Sequence, residues 1–190
     1  MGRGFRSKES LISEKVEYFS DKNIIQINGG IDNCLALSSK GQIYGWGRNN
    51  CGQVGCGKNL DENEYVLIPK IIEISIPIKF IYCSDLYSFV VGIDGSVYYW
   101  GMNSKNQIQW NPKKLILKNV MKIKSVERSE GDIYPDHYII LKESGKVFMY
   151  NLVENKIIFE IIVGLKVNDI IYYLFETEEC VYEFDCLKKK

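Results

Sequence analysis

The sequence predicts an all-β protein made of about four repeated units, each a small antiparallel sheet. Residues 24–54 and 78–108 align without a gap at an offset of 54 residues. Repeats of about this length are typical of propellers and solenoids, in which the repeating residues hold the fold and the surfaces bind. Eight of the 31 aligned positions are identical: Ile24/Ile78, Ile27/Ile81, Gly41/Gly95, Tyr44/Tyr98, Trp46/Trp100, Gly47/Gly101, Asn49/Asn103 and Gln53/Gln107.

Each unit contains a predicted hairpin. In the first unit two short apolar or alternating runs, 34–37 and 42–46, flank a turn at 38–41. Gly41 is free to adopt the positive φ that such turns require. The same pattern recurs around Gly95 and Gly145, and Ile, Val, Tyr and Phe, which favour strands, dominate the runs.

The repeat continues in weaker form towards the C-terminus. In the third copy Gly145 takes the place of Gly41, and its first half needs an insertion around 130–136. A fourth copy is predicted near 172–185, with residues 181–184 in place of 43–46. We therefore expect one repeat domain over 22–186, with units near 24–57, 78–109, 120–151 and 167–185, between an N-terminal extension at 1–21 and a basic tail at 187–190.

The extension carries the one predicted helix. Leu11, Ile12, Val16 and Phe19 would form a single apolar stripe after Ser10 as the N-cap.

Residues 41–55 resemble the signature of the regulator-of-chromosome-condensation repeat. That signature runs glycine, an apolar-Tyr pair, Trp-Gly, Asn and then Gly-Gln-Leu-Gly. Pro69 and Pro112 match the family's proline before the next apolar run. The second unit keeps Trp100, Gly101 and Asn103 but has Asn106 in place of the second glycine, and the third unit keeps only the hairpin. The resemblance covers roughly 22–186.

The resemblance implies a β-propeller of four-stranded blades. Family propellers usually close with seven blades, whereas this chain has room for about four, and Asn33 and Tyr87 stand where the family usually has His. The predicted fold is therefore a propeller-like arc of about four antiparallel blades with a short N-terminal helix or extension. Closure with four blades is geometrically possible. An open arc would need a partner, a second copy or the N-terminal segment to cover its strand edges.

Eight residues that follow the repeat are expected to hold the fold rather than bind a ligand. They are Gly41, Trp46, Gly47, Gly95, Trp100, Gly101, Gly145 and Tyr150.

Composition excludes several classes of function. The formal net charge is +0, so the chain lacks the overall excess of positive charge that is typical of nucleic-acid-binding proteins. The content of 46% hydrophobic and 13% aromatic residues argues against disorder. We expect no membrane partner, because no apolar run approaches the roughly 20 residues of a membrane span. Six cysteines without an N-terminal signal indicate reduced thiols and a cytoplasmic or nuclear location.

One basic cluster is the candidate binding site. Alternation of lysine with apolar residues over 118–124 is typical of a strand with one solvent-exposed face. Lysines on an exposed edge strand also prevent it from pairing with other chains. The other interpretation is a salt-sensitive contact with nucleic acid, a ribonucleoprotein or an acidic protein. The cluster consists of Lys113, Lys114, Lys118, Lys122 and Lys124.

The sequence supplies little for catalysis. His137 is the only histidine, and the spacings of Cys51 with Cys56 and of Cys180 with Cys186 are too wide for a typical zinc site. We therefore predict no catalytic residue, cofactor, metal or small-molecule substrate. The predicted function is a non-catalytic interaction or scaffold module in a larger protein or ribonucleoprotein assembly, with a protein partner or a second copy covering open blade edges. The alternative, implied by the resemblance, is guanine-nucleotide exchange on a Ran-like small GTPase.

Overall fold

The described part of the chain folds into four antiparallel sheets, each built from one consecutive stretch of sequence. The computed structural model describes residues 15–58, 64–125, 137–161, 167–171, 174–177 and 181–183. The predicted all-β class and propeller-like arrangement are confirmed. The insertion at 130–136, the basic tail and residues 11–14 of the predicted helix lie outside the described residues.

The strands follow the predicted repeat. The first blade contains β1 (Ile24–Gly29), β2 (Asn33–Ser38), β3 (Ile43–Arg48) and β4 (Tyr65–Ile72). The second contains β5 (Ile78–Cys83), β6 (Tyr87–Gly92), β7 (Val97–Met102) and β8 (Ile108–Lys114). The third contains β9 (Val120–Ser125), β10 (His137–Lys142), β11 (Val147–Asn151) and β12 (Lys156–Ile161). The described strands of the fourth are β13 (Val167–Ile171), β14 (Leu174–Thr177) and β15 (Val181–Glu183). A 3-10 turn at Glu17–Phe19 precedes β1.

Each blade is a simple meander, and the blades pack in sequence order. Strands β1 and β2 pack against β5, β5 and β6 pack against β9, and β9 and β10 pack against β13. The first strand of each blade therefore lies on the inner side of the arc, and β4, β8 and β12 lie on its outer side. This is the radial arrangement of propeller blades.

Glycine closes the same hairpin in three blades. Gly41, Gly95 and Gly145 have φ values of +77°, +73° and +78°, in the left-handed region that favours glycine. Each N–H donates to a carbonyl three residues earlier at 2.9 Å. Space is also restricted, since a Cβ at Gly41 would lie 2.6 Å from the Pro77 Cβ and one at Gly95 would lie 2.8 Å from the Asn119 Cα. The turn of one blade is therefore packed against the segment that leads into the next.

The first two blades are joined around Trp100. Its indole is fully buried in a cluster that also contains Leu35, Leu37, Ile43 and Ile72 of the first blade and Ile78, Ile81, Cys83 and Val90 of the second. The indole N–H donates to the Gln53 carbonyl at 2.9 Å. Gly55 in the same loop has φ +83°, and a Cβ there would lie 2.5 Å from the Trp100 Nε1. The signature loop of the first unit thus closes over the tryptophan of the second.

The second and third blades are joined by aromatic packing. The rings of Phe89 and Tyr138 meet edge to face at 4.7 Å, and Tyr87 contacts the same Tyr138 ring at 5.5 Å. Tyr150, at the repeat position of Trp100, is fully buried in this cluster and its hydroxyl donates to the Asn155 Oδ1 at 2.5 Å. Such pairs add to the stabilisation from buried area alone.

The Trp100 junction gives the first prediction. Trp100→Phe removes the donor to the Gln53 carbonyl and leaves unfilled space, so the free energy of unfolding should fall by about 1–3 kcal/mol. The control is Trp110→Phe, because Trp110 is only partly buried and its ring contacts the Lys58 ammonium at 5.9 Å. Equilibrium urea unfolding measures both. An equal loss in the two variants would contradict the proposed importance of the junction.

Candidate interaction surface

The first blade has one face that no other described blade covers. Ile27, Ala36, Tyr44 and Ile71 lie opposite one another across its four strands. The matching row of the second blade is Ile81, Val90, Tyr98 and Lys114, and its first three members pack against the first blade. We call the uncovered face of the first blade the outward face. By the repeat it corresponds to a surface made for contact with a preceding blade.

Residues before β1 cover the centre of the outward face. The Phe19 ring lies 5.3 Å from that of Trp46 and 5.6 Å from that of Tyr44, and the Tyr18 ring lies 6.0 Å from that of Tyr44. As a result Trp46 is only 6% exposed. Tyr18 and Phe19 thus cover Trp46 and the two central strands, as a preceding blade would.

The inner edge of the outward face remains uncovered. Ile25, Ile27 and Ile31 lie on β1 or directly after it and are 65%, 63% and 81% exposed. Ile81, which occupies the repeat position of Ile27, is fully buried. Ile25 and Ile27 alternate on one side of β1, and Ile31 follows two residues after the strand ends. Single exposed apolar residues are common, but three within seven residues of one sheet edge are typical of an interaction site. We call these three residues the β1 patch.

The opposite side of β1 shows how the inner edge of a blade is covered. The Gln26 side-chain amide donates to the Ile81 carbonyl at 2.9 Å, and its oxygen accepts from the Ile81 N–H at 3.1 Å. The Asn28 Oδ1 accepts from the Cys83 N–H at 2.7 Å. Carboxamide side chains of the first blade therefore satisfy the backbone edge of the second, as buried backbone groups require.

The structure places four of the five predicted lysines on the edges of two different blades and the fifth between them. Lys113 and Lys114 end β8 on the outer side of the second blade, whereas Lys122 and Lys124 lie on β9, the inner strand of the third. Lys118 lies in the connection. The Lys114 Nζ lies 4.0 Å from an Asp94 carboxylate oxygen, and the Lys122 Nζ lies 5.9 Å from the centre of the Phe80 ring.

The eight repeat residues fall at equivalent places in the blades. The tryptophans and Tyr150 lie on the third strands, and Gly47 and Gly101 follow the tryptophans with φ values of +100° and +103°. Sequence reasoning missed Ile25, Ile27, Ile31, Gln26 and Asn28. The alignment of Ile27 with Ile81 could not reveal the site, because the two residues are identical in sequence and only the structure shows that no described blade precedes the first.

The described residues contain no cluster of three or more His, Cys, Asp or Glu side chains that could hold a metal ion. Burial raises the pKa of the Cys83 thiol to about 12, so this thiol stays protonated at neutral pH. Across the part of the chain that the structure describes, no helix is long and apolar enough to cross a membrane.

Comparisons with known families match the repeats of the first two blades. The regulator of chromosome condensation (RCC1) repeat matches residues 24–53 and 40–91. The chain is 29% identical over 140 residues to the human probable E3 ubiquitin-protein ligase HERC3, covering 71% of this chain and 13% of that protein. It is 34% identical over 106 residues to the ultraviolet-B receptor UVR8 of Arabidopsis thaliana, covering 53% of this chain and 22% of the receptor. The chain thus spans less than a quarter of the length of either relative.

Solved structures support the fold. Human WBSCR16 superposes with a TM-score of 0.59 at 18% identity, covering 80% of this chain and 42% of the other. Prp20p of Saccharomyces cerevisiae, a protein described with its binding to Gsp1p and histones, superposes with a TM-score of 0.54 at 17% identity. That match covers 72% of this chain and 35% of Prp20p.

Removal of the aromatic cover gives the second prediction. Phe19→Ala should expose the Trp46 indole and lower the free energy of unfolding by about 1–3 kcal/mol, because apolar area and two ring contacts are lost. Tryptophan emission should shift to the red and acrylamide quenching should increase. Ile31→Ala, at a highly exposed position, should change neither by a measurable amount. Unchanged quenching in Phe19→Ala would show that Phe19 does not shield Trp46.

Proposed function

The chain carries repeats of the regulator-of-chromosome-condensation family, and on that premise we propose that it is a non-catalytic module that docks on a protein partner through the β1 patch. The observation that carries this proposal is the contrast between Ile27, which is 63% exposed, and Ile81, which is fully buried at the same repeat position. Binding a partner that removes exposed apolar surface of this kind from water is favourable in free energy.

The chemistry of the surface favours a protein over a nucleic acid. The β1 patch consists of three isoleucines, whereas a nucleic-acid site needs a row of basic side chains along the phosphates. Lys113 and Lys114 lie on the outer strand of the second blade, whereas Lys122 and Lys124 lie on the inner strand of the third, so the four lysines do not form one row along a strand. Nucleic-acid contact through residues 113–124 therefore stays a prediction from the sequence alone.

The lengths of the relatives support a place in a larger assembly. The chain corresponds to 13% of HERC3 and 22% of UVR8, so the ligase and receptor activities in those names belong to much longer proteins. We infer that the part shared with this chain supplies binding rather than chemistry. Guanine-nucleotide exchange on a Ran-like GTPase is the alternative, and the described binding of Prp20p to Gsp1p is the reason to test it.

The third prediction tests docking through the β1 patch. In affinity capture from native extract, a protein partner retained by the wild type should be lost at least tenfold from I25K/I27K, since two charges would be placed in an apolar contact. Ile93→Lys is the matched control, because Ile93 is 60% exposed on a turn of the second blade. Quantitative mass spectrometry measures retention, and circular dichroism checks folding.

Retention of the same partner by I25K/I27K would overturn docking through this patch. A nucleotide-release assay with a Ran-like GTPase runs in parallel, and we expect no acceleration. Accelerated release would favour the exchange-factor alternative.

A further inference from the structure

Strands β1 and β5 present the same backbone groups at their inner edges. Ile27 lies opposite Ala36 as Ile81 lies opposite Val90, and Gly29 lies opposite Cys34 as Cys83 lies opposite Ser88. The Ile81 N–H and C=O and the Cys83 N–H point away from β6, because they bond to Gln26 and Asn28. By the shared register, the Ile27 N–H and C=O and the Gly29 N–H point away from β2.

Within the part of the chain that the structure describes, no strand covers these three groups of β1. β1 is the terminal strand of its sheet, and among the described residues nothing bonds to the Ile27 N–H, the Ile27 C=O or the Gly29 N–H. Tyr18 and Phe19 contact side chains of β3 and leave this edge open. The edge runs beside the β1 patch, so polar and apolar groups stand together in one site.

We propose that this site binds an extended segment of a protein partner that presents two carboxamide side chains two residues apart, in the pattern Gln-x-Asn. The Gln side chain donates to the Ile27 C=O and accepts from the Ile27 N–H, and the Asn side chain accepts from the Gly29 N–H. Apolar side chains of the partner cover Ile25 and Ile27. The inference deepens the proposed function and rests on it, because it continues the observed contact of β1 with β5 by one further step.

A second copy of the chain does not fit this role. In the first blade, Gln26 and Asn28 flank Ile27, and both side chains already bond to β5. In the second blade, the residues that flank Ile81 are Phe80 and Tyr82. In the third blade Ile123 lies opposite Ile140, and the flanking residues are Lys122 and Lys124. In the fourth, Ile170 lies opposite Phe175, with Asp169 and Ile171 beside it. Residues 109–111 of β8 also read Gln-x-Asn, but the Gln109 side-chain amide already donates to the Asn111 carbonyl at 2.8 Å. We therefore assign the carboxamide pair to a protein partner, and self-association through β8 is one outcome of the test below.

The probe is a peptide of residues 22–31 of this chain, which carries the required Gln26 and Asn28, titrated into the ¹⁵N-labelled full chain. The fourth prediction is that the Ile27 and Gly29 amide resonances shift and saturate. A matched peptide with Gln26→Leu and Asn28→Leu should bind about tenfold more weakly or worse, because three neutral hydrogen bonds are lost. Ile27→Lys in the chain should weaken binding of the first peptide to a similar extent, and Ile93→Lys should not.

Several results would overturn the proposal. If the Ile27 and Gly29 amide resonances do not shift at millimolar peptide concentration, the site is excluded. If the two peptides bind with equal affinity, the carboxamide chemistry is excluded. Self-association that shifts these resonances without peptide would make a second copy the occupant. If the peptide fails while partner capture still depends on the β1 patch, the carboxamide inference alone is wrong. If both fail, the proposed function is wrong as well.

Discussion

The structure depends on the contact between one blade and the face of the blade before it. At the first junction the Trp100 indole donates to the Gln53 carbonyl, and Gln26 and Asn28 bond to the inner edge of β5. The first contact buries an apolar face, and the second satisfies backbone groups that would otherwise be left without partners. Every blade that is built this way needs a neighbour on the same side, and the first blade therefore needs one too.

The segment before β1 meets part of that need. Tyr18 and Phe19 cover Tyr44 and Trp46 on the central strands, but they supply neither apolar cover for Ile27 nor a partner for its backbone. The cover over the central strands keeps Tyr44 and Trp46 buried, while the inner edge of β1 stays open. The docking role proposed above depends on this division between a covered centre and an open edge.

Much of the fold could be predicted because its signals are local. Gly41, Gly95 and Gly145 mark turns whose positive φ favours glycine wherever the turn occurs. The positions of the lysines could not be predicted in the same way. Residues 113–124 are close in sequence, but they span the outer strand of one sheet and the inner strand of the next, and only the strand order shows this. The proposed docking site could not be predicted from the repeat for another reason. Ile27 and Ile81 are identical in sequence, and Gln26 and Asn28 align with Phe80 and Tyr82, so neither exposure nor the carboxamide contact follows the repeat.

Native-state amide hydrogen exchange of the isolated chain would show whether the inner edge of β1 is open. We expect fast exchange at Ile27 and Gly29, whose N–H groups lie on the open edge, and much slower exchange at Ile81 and Cys83, whose N–H groups bond to Gln26 and Asn28. The comparison is internal, because the two pairs of amides share one register in one molecule. Protection of Ile27 and Gly29 equal to that of Ile81 and Cys83 would show that the edge is already covered and would contradict the account.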